Sequence, residues 1–142
     1  MTDPVQPWIC PECGRQFGRN RQSHDCAPAM SLDEYFSTGP AHERPIFEAV
    51  MRHVDGLGPV HVEPVSVGIF LKRARTFAQL RPMQRWVALS FSLPRRVTHP
   101  TITRKVMLYH GRHYHVANLR RPEDLDDDLR GWITEAYFDA PT

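Results

Sequence analysis

All three cysteines of this 142-residue chain fall within seventeen residues, in Cys10-Pro11-Glu12-Cys13-Gly14-Arg15-Gln16-Phe17 and in His24-Asp25-Cys26. A Cys-x2-Cys knuckle delivers two thiolates from one turn, and His24 and Cys26 complete a four-donor set of the kind zinc takes. With every position filled by protein, the site reads as closed and structural: one zinc ion on Cys10, Cys13, His24 and Cys26, whose loss unfolds the finger. His42 and Asp25 stay open as alternative fourth donors. A redox role for the knuckle would call for a thioredoxin-like βαβ setting, which the chain lacks. An odd number of clustered cysteines argues against a disulfide framework and for a reducing compartment.

The spacing of the last two donors carries a further consequence. Residues two apart on a helix point to nearly opposite sides, at about 100° per residue, so His24 and Cys26 cannot both reach one ion from a continuous helix. A DNA-reading finger with paired histidines on a recognition helix is therefore disfavoured. Arg15, Arg19 and Arg21 are within reach of a phosphate, but Asp3, Glu12, Asp25 and the net negative charge of a three-thiolate zinc centre offset them.

A second set is electrostatic. Between Val65 and Pro122 there is no Asp or Glu, against twelve Lys and Arg residues; from Glu123 onward seven acids face the single base Arg130. The formal net charge of +2 conceals this segregation. It points either to an anionic partner for the middle segment or to internal neutralisation by an acidic C-terminal helix. Lys72, Arg73, Arg75, Arg95, Arg96, Arg104 and Lys105 fall at strand ends or loops, where they could converge on an anion. Aromatic residues interleave with them, as in sheets that bind single strands, although most alternate as core positions do.

A third set is a histidine hairpin. With Gly111-Arg112 as a two-residue connection, His110 and His113 become cross-strand neighbours and His115 lies two residues on along the same face. Such a group is a weak candidate for acid–base hydrolysis without a metal. The strands supply no Asp or Glu to hold a catalytic cation, which argues against a carboxylate-based metal nuclease.

The elements that must position these groups follow from periodicity. Trp8-Ile9 reads as a short strand entering the knuckle, with Gly14 taking a positive φ in the turn and Phe17 packing beneath the metal. Ser31-Leu32-Asp33-Glu34 has the form of a capping box and starts a short helix that Gly39-Pro40 stops. Ile46, Phe47, Val50, Met51, Val54 and Leu57 recur at three- and four-residue steps, describing an amphipathic helix. Runs beginning at Val60, Val67, Thr76, Trp86, Lys105 and His113 are short, β-branched or aromatic, and punctuated by proline or glycine, which reads as an antiparallel meander of five or six strands. A last helix places Leu125, Leu129, Trp132, Ile133, Ala136 and Tyr137 on one face and Asp126, Asp127 and Asp128 at its dipole-favoured start. The fold class expected is α+β: a CCHC zinc finger over 1–28, a linker with a short helix over 29–43, and a compact helix–sheet–helix domain over 44–140, both helices on one sheet face.

The pattern Trp8-x-Cys-Pro-x-Cys-Gly-Arg-x-Phe with His-x-Cys, the Arg81–Pro94 stretch Arg-Pro-x-x-x-Trp-Val-x-Leu-x-Phe-x-Leu-Pro and the terminal acidic helix resemble an uncharacterised bacterial family, a domain of unknown function. The resemblance spans Trp8 to Phe138 and implies the zinc finger and the fold; it supplies no catalytic residues. No apolar run reaches membrane-span length and the N-terminus lacks signal-peptide character, so the chain reads as cytoplasmic with no membrane partner. The first functional expectation is a non-enzymatic zinc-containing module that binds nucleic acid or another polyanion through the basic 65–122 segment. The alternatives are a small metal-independent hydrolase or nuclease using His110, His113 and His115, and an adaptor that docks a protein partner through the finger.

Overall fold

The computed structural model describes residues 8–18, 21 and 30–139. Strands β1 (Trp8–Ile9) and β2 (Gln16–Phe17) pair antiparallel, Trp8 opposite Phe17, and carry the Cys10–Cys13 turn between them. Helix α1 (Leu32–Ser37) begins at Ser31, whose Oγ accepts the Glu34 N–H at 3.1 Å while its hydroxyl donates to the Glu34 carboxylate at 3.0 Å. Helix α2 (Glu43–Val54) buries the stripe Ile46, Phe47, Val50 and Val54.

Six strands form the main antiparallel sheet: β3 (His61–Val65), β4 (Gly68–Lys72), β5 (Thr76–Pro82), β6 (Val87–Leu93), β7 (Met107–Tyr109) and β8 (Arg112–Leu119). Helix α3 (Asp127–Asp139) follows a short 3-10 turn at Pro122–Asp124. Helices α2 and α3 cover one sheet face, where Ile69, Leu71, Leu80, Leu89, Phe91 and Leu119 meet Val50, Leu129, Ile133 and Tyr137 in a single core. The β1–β2 knuckle lies against β3 and β4, where Arg15 and Gln16 bond Glu63 and Lys72.

Two expectations require correction. The sheet order is β3-β4-β5-β6-β8-β7, so it is not a simple meander. Residues 94–106 carry the chain past the next strand position, and β8 then returns between β6 and β7. The hairpin turn also lies one residue earlier than expected. Tyr109 pairs with Arg112, which leaves His110-Gly111 as the turn, with φ of 50° and 74°. Positive φ at both central residues is the type I′ pattern, whereas a Gly111-Arg112 turn of type II′ would need it only at the first.

Candidate functional site

The knuckle closes on its own backbone. Cys10 N–H donates to Arg15 O at 2.9 Å and Gly14 N–H to Cys10 O at 2.8 Å, with Gly14 at φ 75° as a turn this tight requires. Cys10 and Cys13 are 3% and 9% exposed and share a small cluster with Phe17 and Trp8. Two thiols delivered from one shielded turn suit half of a tetrahedral zinc site. His24, Cys26 and Asp25 lie outside the described residues. His42 sits at the N-terminus of α2 with Nε2 3.3 Å from the Trp86 carbonyl.

What holds the knuckle to the sheet is a buried carboxylate. Glu63 is 1% exposed, and its Oε1 accepts from Arg15 Nε at 2.6 Å and Lys72 Nζ at 3.0 Å. Oε2 accepts from the Gln16 N–H at 3.0 Å and lies 3.1 Å from His61 Nε2. Burial alone would raise the Glu63 pKa; the bonds from His61, Arg15, Gln16 and Lys72 reverse that and hold the carboxyl well below the usual carboxylate range. Lys72 also donates to the Gln16 carbonyl and lies 4.4 Å from the Phe17 ring centroid. Gly18 then passes so close to the β4–β5 turn that a Cβ there would come within 2.5 Å of Arg75 Cγ.

The antiparallel order gathers the β4–β5 turn, the end of β6 and the β7–β8 turn at one end of the sheet, together with the C-terminal end of α3. Of the basic residues singled out from sequence, Lys72, Arg73, Arg75, Arg95 and Arg96 come to this end. Arg104 and Lys105 lie apart from it, in the segment leading into β7. Several of the first group are spent internally. Lys72 is buried on Glu63, Arg73 donates to the Tyr137 carbonyl at 3.2 Å and covers its ring, and Arg95 pairs with Glu135. Arg112 pairs with Asp139 and also donates to Ser92 O at 3.0 Å. These cations meet the negative end of the α3 dipole, so part of the charge segregation is internal. Arg75, Arg96, Arg104 and Lys105 are exposed, and among the described residues none of them has a carboxylate at ion-pair distance.

Between the knuckle and the β7–β8 hairpin runs an open cleft of about 720 Å³. Phe17, Gly18 and Lys72 form one wall, Arg75 and Thr76 the floor, and Tyr109, His110, Arg112 and Tyr114 the other wall. Tyr109 and Tyr114 stand edge to face with centroids 6.5 Å apart, 63% and 43% exposed. Cations and solvent-facing rings thus line one groove, an arrangement that charge counting alone does not locate.

The three hairpin histidines do not converge. His110 is a turn residue against Tyr109, and the cross-strand neighbours of His113 are Leu108 and Leu93. His115 is fully buried and stacked on Phe91 at 5.2 Å. Its Nε2 accepts the Val97 N–H at 3.0 Å, which places the proton of the neutral ring on Nδ1; burial pushes its pKa down. The one-residue shift of the turn removes the geometry an acid–base pair needed.

Two pairs had no sequence signal. His99 Nε2 lies 2.7 Å from Asp126 Oδ2, while its Nδ1 accepts the Thr101 N–H at 3.1 Å. Asp128 is close enough to form a three-donor group with them. Asp126 Oδ1 accepts the Leu129 N–H at 3.0 Å and so caps α3, whose positive end disfavours a cation there. In the other pair the Tyr35 hydroxyl donates to Glu43 Oε2, and Oε1 is buried with no partner among the described residues. Burial raises the Glu43 pKa, opposed by the Tyr35 bond and by His42.

No helix among the described residues is long and apolar enough to cross a membrane. No curated protein and no solved structure matches the chain. The chain belongs to a family described as a domain of unknown function (DUF5655), whose model matches residues 32–140. The match runs from the first residue of α1 to just beyond α3. It takes in the whole main sheet and leaves the Cys10–Cys13 knuckle outside.

Proposed function

We propose that this chain is a zinc-containing binding module that takes a nucleic acid or another polyanion through the basic end of its sheet. The observation that carries this reading is the cleft between knuckle and hairpin, where Arg75 stands beside Tyr109, His110 and Tyr114. Phosphates on cations and bases on exposed rings is the usual division of labour in single-strand recognition. Zinc on Cys10, Cys13, His24 and Cys26 keeps the knuckle folded as one wall, in a reducing, cytoplasmic setting where thiolates persist. The Arg15, Gln16 and Lys72 bonds to Glu63 fix that wall in place.

A shift assay with a single-stranded oligonucleotide tests the reading. Affinity should fall steeply with salt, and Arg75→Ala should reduce the log–log salt slope by about one. Absence of binding even at low salt would end it. Metal analysis of reduced protein should give one zinc per chain, and a value far below that would remove the ligand set.

A further inference from the structure

The two edges of the main sheet are finished differently. At the β3 edge the Met30 N–H donates to the Pro64 carbonyl at 3.0 Å, so part of the ladder is already occupied. At the β7 edge no strand or backbone segment among the described residues pairs beyond it. Met107, Leu108 and Tyr109 are 59%, 65% and 63% exposed. An open edge presents unpaired N–H and C=O groups on which another strand can pair.

The register says which backbone is available. Tyr109 and Arg112 flank the two-residue turn and form the hydrogen-bonded pair that closes it. Leu108 and His113 are the next, non-hydrogen-bonded pair, so the N–H and C=O of Leu108 point away from β8.

We propose that β7 accepts an extended acidic segment of a partner protein as a seventh strand, paired through the backbone of Leu108. Charge selects this occupant. Exposed Arg104 and Lys105 immediately precede β7, neither has a carboxylate at ion-pair distance among the described residues, and no Asp or Glu lies between Val65 and Pro122. A second copy of this chain fits badly. The β7 segment of a second copy would bring its own Arg104 and Lys105 to the shared edge and no carboxylate, so self-pairing sets positive charge against positive charge. Backbone bonds supply the affinity in such additions, and alternate side chains supply the specificity.

Titrating peptides of about eight residues into isotope-labelled full-length protein tests this, one alternating valine with glutamate and a control alternating valine with lysine. The glutamate peptide should slow hydrogen exchange at the Leu108 amide and bind at least ~tenfold more tightly than the lysine peptide. Leu108→Pro removes the outward N–H at an edge position that tolerates proline. It should weaken peptide binding by at least ~tenfold while leaving oligonucleotide binding unchanged. If that variant fails to fold, a glutamate peptide N-methylated at its central bonds should show the same loss on the unaltered protein. Equal binding by Leu108→Pro or by the N-methylated peptide, an unprotected Leu108 amide, or equal affinity for the lysine peptide would overturn the proposal. So would a dimer, seen by sedimentation, that Leu108→Pro dissolves. Loss of oligonucleotide binding alone would overturn the cleft reading and leave this one standing.

Discussion

Glu43 and Glu63 are each 1% exposed, yet the molecule treats them in opposite ways. Glu63 is surrounded by Arg15, Lys72, the Gln16 N–H and His61, and is held ionised. Glu43 has the Tyr35 hydroxyl on one oxygen and no partner among the described residues on the other, and its pKa rises. Burial penalises the charge in both; the number of donors decides whether that penalty is overcome. Glu63 joins the knuckle to the sheet, while Glu43 joins α1 to α2.

The comparison can be broken most severely by removing the proposed metal. A chelator should collapse the amide signals of residues 8–18 in a heteronuclear spectrum while those around Tyr35 and Glu43 stay put; simultaneous loss of both regions would show that they are not independent. Next in size, Glu63→Ala strands Arg15 and Lys72 without their carboxylate. Urea unfolding should show about 3–5 kcal/mol of lost stability, as expected for an uncompensated buried charge, and a loss within the range of ordinary surface substitutions would contradict the network.

Acidity separates the two groups by sign. The Glu63 pKa is depressed on folding, so its contribution is present above the ordinary value of 4.5 and is lost as pH falls below that. The Glu43 pKa is raised, so its contribution is intact below 4.5 and declines as pH rises through the folded value. Glu43→Gln keeps an acceptor for Tyr35 and removes the titration. Its stability relative to the parent should therefore improve from pH 4 to pH 7, and a flat difference would show that Glu43 is not desolvated. The smallest effect is expected at the exposed Arg95–Glu135 pair, where solvent screens the charges and Arg95→Ala should leave the urea unfolding midpoint close to that of the parent.

Local signals in the sequence were reliable because their causes are local. The Ser31 cap, the positive φ of Gly14 and the apolar stripe of α2 are each set within one short stretch of chain. The hairpin turn was misplaced because Gly111 satisfies either of two adjacent two-residue turns; the register with β8 selects between them, and His110 accepts a positive φ as a result. Lys72 looked available because its counter-charge, Glu63, sits just outside the acid-free window and pairs with it only through the β3–β4 register. Arg15 reaches Glu63 across a separation of 48 residues, and nothing near either residue announces it. The basic composition of the middle segment was legible. That the end of α3 takes Arg73, Arg95 and Arg112 while Arg75 faces a cleft was not, because both outcomes are written in the same residue types.

The placement of β8 between β6 and β7 also constrains the order in which the sheet can assemble. Its partner β7 is two residues away along the chain, whereas β6 is reached only by closing the loop of residues 94–106. Hairpin closure is fast and local, and the wider loop costs more entropy, so the hairpin should form first and dock onto β6 as a unit. Gly111→Ala, strained at φ 74°, should then slow folding more than it speeds unfolding, a partition that a chevron plot reads directly.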